Sequence, residues 1–210
     1  MIFVLVRFNV DLVIVPIANP YGFVNHQRKN VNGVDINRNF SRFWNESDST
    51  DPSSQSYKGT SPFSELEAQY VRDVILENKD SIAFFDYHTN GNSGNDYRTM
   101  FWHSFSYWNK DLKGYQNLID ISRINIGKMT RESQKRYEIP ENSGHIGYIS
   151  STGTYMSTIA NYAYGEGLPG ITIECTRKLV SEDIVYSSKT MQLCTEFIGN
   201  HILNVVRELG

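Results

Sequence analysis

The sequence predicts an α/β sandwich, and three observations predict it. Short, largely apolar runs bounded by Pro, Gly or polar residues occur at 11–17, 81–88, 97–103 and 170–175, each the length of a buried strand. Alternating with them are stretches whose apolar residues recur at helical spacing, at 64–75, 108–135 and 187–208. The chain has 210 residues, 40% of them hydrophobic, enough to bury a substantial core in one domain.

Taken in order, "DLVIVPI" is a continuous apolar run closed by Pro and Asn-Pro, which suits a strand buried on both faces. The stretch 19–40, "NPYGFVNHQRKNVNGVDINRNF", then sets two arginines and six asparagines just beyond that run. A surface loop needs some polarity, but not two guanidinium groups with amide-bearing neighbours. Residues 41–62 are rich in Ser, Asp and Pro and read as a long loop. "SELE" reads as a capping box, with Ser64 at the N-cap and Glu67 at the third helical position. Leu66, Tyr70, Val71, Val74 and Ile75 follow on one helical face. "SIAFFDYH", "YRTMFWH" and "GITIEC" are strands. Leu112, Tyr115, Leu118 and Ile121 mark a further helix. Met191, Cys194, Phe197, Ile198, Ile202 and Val205 mark a last one, packed on the sheet.

Composition excludes several classes. A formal charge of −3 with scattered basic residues gives no footprint for nucleic acid. No apolar run approaches the roughly 20 residues of a membrane helix. The opening "MIFVLVR" lacks a basic n-region and a small-residue cleavage site, so it is not read as a signal peptide, and the compartment stays open. Cys175 and Cys194 make no disulfide framework; one bridge stays possible, with reduced and buried the preferred reading. Two N-x-S tripeptides, at Asn39 and Asn45, carry no weight.

Ligands of an open α/β sheet sit beyond the carboxyl ends of its strands. Polar groups stand at three such ends, "VPIANPYGF", "FFDYHTN" and "TIECTRK". A lone histidine after a strand is ordinarily a hydrogen-bonded structural residue. A glutamate inside "ITIEC" differs, because an unpaired carboxylate in an apolar strand is costly and is kept for a partner or for chemistry.

Together, "NPYGF", "RKN…GVDINRNF", "SELEAQ", "DYH" and "TIE" resemble the zinc carboxypeptidase family, in order and rough spacing over residues 11–176. The family usually has Asp where this chain has Tyr21. The resemblance implies a mixed, mostly parallel central sheet flanked by helices. It also implies a hydrolase that takes the C-terminal residue from a peptide with a free terminal carboxylate, using a zinc-bound water. By resemblance, Arg28 polarises the scissile carbonyl and Asn37 and Arg38 bind the terminal carboxylate. Arg suits that task because its planar fork matches a carboxylate. Asp35 falls where an acid hydrogen-bonds a metal-ligating histidine, Glu174 where the general base stands, and His88 where the third zinc ligand stands. Tyr148 matches the mobile tyrosine that closes over substrate, with Tyr155 as its competitor. Counting back from Glu174 to the residue that lines the specificity pocket gives Ile159, which favours an apolar terminal side chain. Relatives that cleave cell-wall peptides leave the substrate's origin open, and the oligomeric state is open too.

One part of the pattern is missing. None of the five histidines (His26, His88, His103, His145, His201) is followed by Glu at the third position, so the family's H-x-x-E pair is not in the chain. The expectation is a single carboxypeptidase-like domain, residues 1–210, lacking its N-terminal portion, with one of three zinc ligands and no activity alone. Such a chain is expected to expose a sheet edge or an apolar face. The competing reading is a peptide-carboxylate binder without catalysis; a retained base at Glu174 argues against it. An H-x-x-E pair encoded upstream of Met1 would decide for the enzyme.

Overall fold

The computed structural model describes residues 10–46, 48–89, 100–104, 118, 120, 146–150, 156–175 and 184–209. The architecture is α/β, and the chain divides into two compact units. One comprises Met1–Asp11, Phe85–Ser151 and Ile171–Gly210; the other comprises Leu12–Phe84 and Thr152–Gly170.

The first unit is built on a sheet of β1 (Phe84–Thr89), β2 (Met100–Ser104), β3 (Ile146–Ser150) and β4 (Gly170–Cys175), in the order β1-β4-β2-β3. β2 pairs parallel with β3, Trp102 opposite Tyr148, and antiparallel with β4, Phe101 opposite Glu174, so the sheet is mixed. Alternation sends Ile171 and Ile173 to one face of β4, where both are fully buried. The long C-terminal helix runs Ile184–Leu209 and buries Val205, Val206 and His201.

His201 has its ring edge-on to Phe85 at 4.8 Å and Nδ1 3.2 Å from the Tyr87 hydroxyl. Burial pushes its pKa down from 6.5 to about 4, because a charged imidazole would lose its hydration. Between those values the unfolded chain binds the extra proton. The stabilisation is therefore complete above about pH 6.5 and is lost as pH falls toward 4, by about 3 kcal/mol in all. Urea titrations across this window should show that slope, and His201→Leu should flatten it. An unchanged slope in the variant would contradict the assignment.

In the second unit, α1 (Pro20–Val24) starts where Asn19 Oδ1 accepts the Gly22 N–H at 2.9 Å, with Pro20 in the first turn. A 3-10 turn covers Ile36–Arg38, and α2 covers Leu66–Glu77. Then α3 (Ile159–Gly165) is capped by Thr158 and closes at Gly167, whose φ of 92° suits a glycine. The Leu168 N–H reaches Ala163 O at 3.0 Å and the Gly167 N–H reaches Tyr164 O at 3.1 Å, a Schellman stop.

The core of this unit joins Ile36, Phe40, Ala68, Val71, Ile75, Ile159, Tyr162, Ala163 and Leu168. Phe40 meets Phe63 edge-on at 5.6 Å and Tyr162 at 5.7 Å. Phe40 is fully buried, so Phe40→Ala should cost about 3–5 kcal/mol in chemical denaturation. A loss below about 1 kcal/mol would mean the cluster refills the space.

Three expectations need correction. Residues 11–17 form no strand; Val13 is 56% and Ile14 60% exposed, and no described strand pairs with them. An apolar run becomes a strand only where a ladder satisfies its backbone; here only Val15 packs on the core. The capping box does not form, because the Ser64 hydroxyl donates to Glu65 Oε1 (2.7 Å) and accepts from Asn39 Nδ2 (2.9 Å). Helix α2 buries Ala68, Val71 and Ile75, whereas Leu66 and Tyr70 are 78% and 61% exposed. Of the helix expected over 108–135, Leu118 is helical and fully buried; Leu112, Tyr115 and Ile121 lie outside the described residues.

Candidate active site

The asparagines of 19–40 mostly build the loop itself. Asn30 Nδ2 and Asn32 Nδ2 donate to Glu65 Oε2 at 2.7 and 2.8 Å, and Asn30 Oδ1 accepts the N–H groups of Asn32 and Val34. Burial pushes the Glu65 carboxyl up, but the bonds from Asn30, Asn32 and Ser64 outweigh it and hold the group below its ordinary value. Asn39, fully buried, donates to Lys58 O, Ser61 O and Ser64 Oγ. This frame fixes the turn that carries the charged groups.

Within that turn the expected site residues take definite places. Asp35, buried, accepts Arg28 Nε at 2.9 Å and Nη2 at 2.5 Å on one oxygen, and the Asn37 N–H at 3.2 Å on the other. Arg28 keeps half of its side-chain surface exposed. Asn37 Oδ1 accepts the Ile159 N–H at 2.8 Å, which fixes which end of the amide is the NH2 group. Arg38 Nε stands 3.1 Å from Asp48 Oδ1, and Nη1 donates to Asn37 O at 2.6 Å. The Nε–H is not aligned on the carboxylate oxygen, so that contact is an ion pair rather than a directed bond. Ile159 is buried in the core cluster at the start of α3.

On the sheet unit, His88 Nε2 lies 2.8 Å from Asp86 Oδ2, and the Thr172 hydroxyl donates to that same oxygen at 3.4 Å. In its neutral form His88 would hold its proton on Nε2, facing the carboxylate, and its lone pair on Nδ1. Glu174 lies on β4 two residues beyond Thr172, in register with Phe101 of β2. Tyr148 occupies the middle of β3, opposite Trp102; Tyr155 lies outside the described residues.

Sequence reasoning missed Asp48, Ser157 and Asp86. Asp86 carried a signal, an acid inside the apolar strand "FFDYH" two residues before His88. Asp48 and Ser157 carried none.

Among the described residues no group of three His, Cys, Asp or Glu could hold a metal ion. They do not make a zinc site by themselves. No described helix is long and apolar enough to cross a membrane.

The sequence profile of the zinc carboxypeptidase family matches residues 4–201. Carboxypeptidase B of Astacus astacus is 30% identical over 137 residues, 64% of this chain and 41% of that protein. Carboxypeptidase A4 of Mus musculus is 28% identical over 145 residues, 62% of this chain and 33% of that protein. Carboxypeptidase A from Helicoverpa armigera superposes with a TM-score of 0.68 at 22% identity, over 95% of this chain and 52% of that structure. The chain belongs to the zinc carboxypeptidase family. It spans less than half the length of those two sequence relatives.

Proposed function

We propose that the full-length protein is a zinc-dependent metallocarboxypeptidase that removes the C-terminal residue of a peptide bearing a free carboxylate. The observation that carries this reading is the adjacent pair Asn37 and Arg38, its amide fixed by Ile159 N–H and its guanidinium by Asp48. A neutral donor beside an oriented cation matches the two oxygens of a terminal carboxylate. Arg28 places a second cation, still half exposed, where negative charge would develop on the scissile carbonyl oxygen. Glu174 takes the proton of the attacking water and delivers it to the leaving amine. Tyr148 closes over the bound peptide. His88, held by Asp86, contributes to metal binding, and Asp35 steadies Arg28 and whatever histidine faces it in the full-length protein.

Mass spectrometry of an unblocked peptide digest tests the reading. Single residues should leave in order from the C-terminus, and prior chelation of the metal should stop the release. Internal or N-terminal cleavage would contradict it. Tight peptide binding with no release would leave a carboxylate binder without catalysis.

A further inference from the structure

We infer that Asp48 is the positioning residue for Arg38, and that it ties the carboxylate-binding turn to the segment leading into α3. The inference rests on the proposed role of Arg38 in binding the terminal carboxylate.

Asp48 is a buried acid, its side chain 3% exposed against 14% for Arg38. A carboxylate so placed needs compensation, and three groups supply it. Arg38 Nε is 3.1 Å from Oδ1, the Ser157 N–H donates to Oδ2 at 2.7 Å, and the Ser157 hydroxyl contacts Oδ2 as well. The same hydroxyl lies 2.6 Å from Arg38 O, so its one proton is shared between the side chain of Asp48 and the backbone of Arg38. Asp48 and Ser157 therefore grip Arg38 at both its guanidinium and its carbonyl. Two residues on, Ile159 N–H holds Asn37 Oδ1. The clamp and the start of α3 are thus one connected set of contacts, with Asp48 at its charged centre.

Asp48 also carries a negative charge toward an anionic substrate. That repulsion acts across the width of the Arg38 guanidinium, whose own positive charge lies against Asp48 and offsets it, so it is worth only severalfold in affinity. Loss of a charge-assisted anchor is worth about tenfold or more, because an unanchored Arg38 spends most of its time in rotamers that miss the substrate. Positioning wins, and the two effects separate experimentally. Asp48→Asn removes the charge and keeps an acceptor for Ser157 N–H. Asp48→Glu keeps the charge and displaces it by one methylene.

The test measures, by calorimetry on the full-length protein in a Glu174→Gln background, affinity for an acetylated tripeptide as free acid and as amide. Both Asp48 variants should bind the free acid about tenfold more weakly and the amide unchanged. Tighter binding by Asp48→Asn with no change in Asp48→Glu would overturn the inference, since repulsion alone gives that pattern. So would wild-type affinity in both. Arg38→Ala runs in parallel: equal losses for acid and amide there would mean that the carboxylate reading itself has failed. A selective loss there beside unaffected Asp48 variants sinks only the positioning role. Should neither Asp48 variant fold, nitrogen-15 relaxation of the wild-type Arg38 guanidinium decides: an ordered group supports the anchor, and one as mobile as in free arginine overturns it.

Discussion

Glu174→Gln in the full-length protein is expected to lower kcat by about 10²–10⁴-fold, with KM changing far less. The amide keeps the volume and one acceptor of the carboxylate, so substrate still enters. It cannot take the proton of the attacking water or return it to the leaving amine. Its place in the sequence of β4 motivates the role: the strand is apolar, with Ile171 and Ile173 fully buried, and a carboxylate at position 174 of such a strand is kept for a partner or for chemistry. Steady-state kinetics on one free-acid peptide checks it. A variant that keeps more than about a tenth of wild-type kcat is incompatible with general-base chemistry.

Arg38→Ala is expected to weaken binding of free-acid peptides by about ten- to two-hundredfold, the worth of a charge-assisted pair of roughly 1.5–3 kcal/mol. The loss should appear in KM, because the terminal carboxylate is held equally in the ground and transition states. Asp48, left buried without its cation, adds a stability cost to the same variant. Arg38→Lys should recover part of the affinity but not all, since an ammonium lacks the planar fork. A kcat that falls while KM stays fixed would move Arg38 from the carboxylate to the reacting centre.

The parts of the fold legible in the sequence are those where composition alone decides the state. "GITIEC" has no polar residue before Glu174 except Thr172, and it forms β4 over just those residues, Gly170–Cys175. The C-terminal helix, expected over 187–208, runs Ile184–Leu209 because its apolar stripe is long and uninterrupted. "SIAFFDYH" begins as a strand only at Phe84, since the Ser81 N–H still closes a turn on Asn78 O after α2. The run 11–17 misled because apolar character says what a residue can bury, not whether a partner strand is there. Leu66 and Tyr70 misled because they begin the helix outside its core stripe.

The candidate site divides along the same line. Arg28, Asp35, Asn37 and Arg38 lie within one short motif, and the structure brings all four into one turn. What holds them comes from afar: Ser157 meets Arg38 O across 119 residues of sequence, and Asp48 sits in a loop whose acids and serines look interchangeable. The amides that drew notice in 19–40 serve chiefly Glu65 and the loop backbone. Long-range pairing of that kind leaves no periodic trace in a single sequence.

The specificity constants of one peptide, as free acid and as C-terminal amide, measured on wild-type and Arg38→Ala protein, test the central claim most directly. The free acid should be strongly preferred by the wild type, and the substitution should erase most of that preference by slowing the acid alone. Parallel losses on acid and amide, or no preference in the wild type, would contradict a clamp for the C-terminal carboxylate and with it the exopeptidase reading.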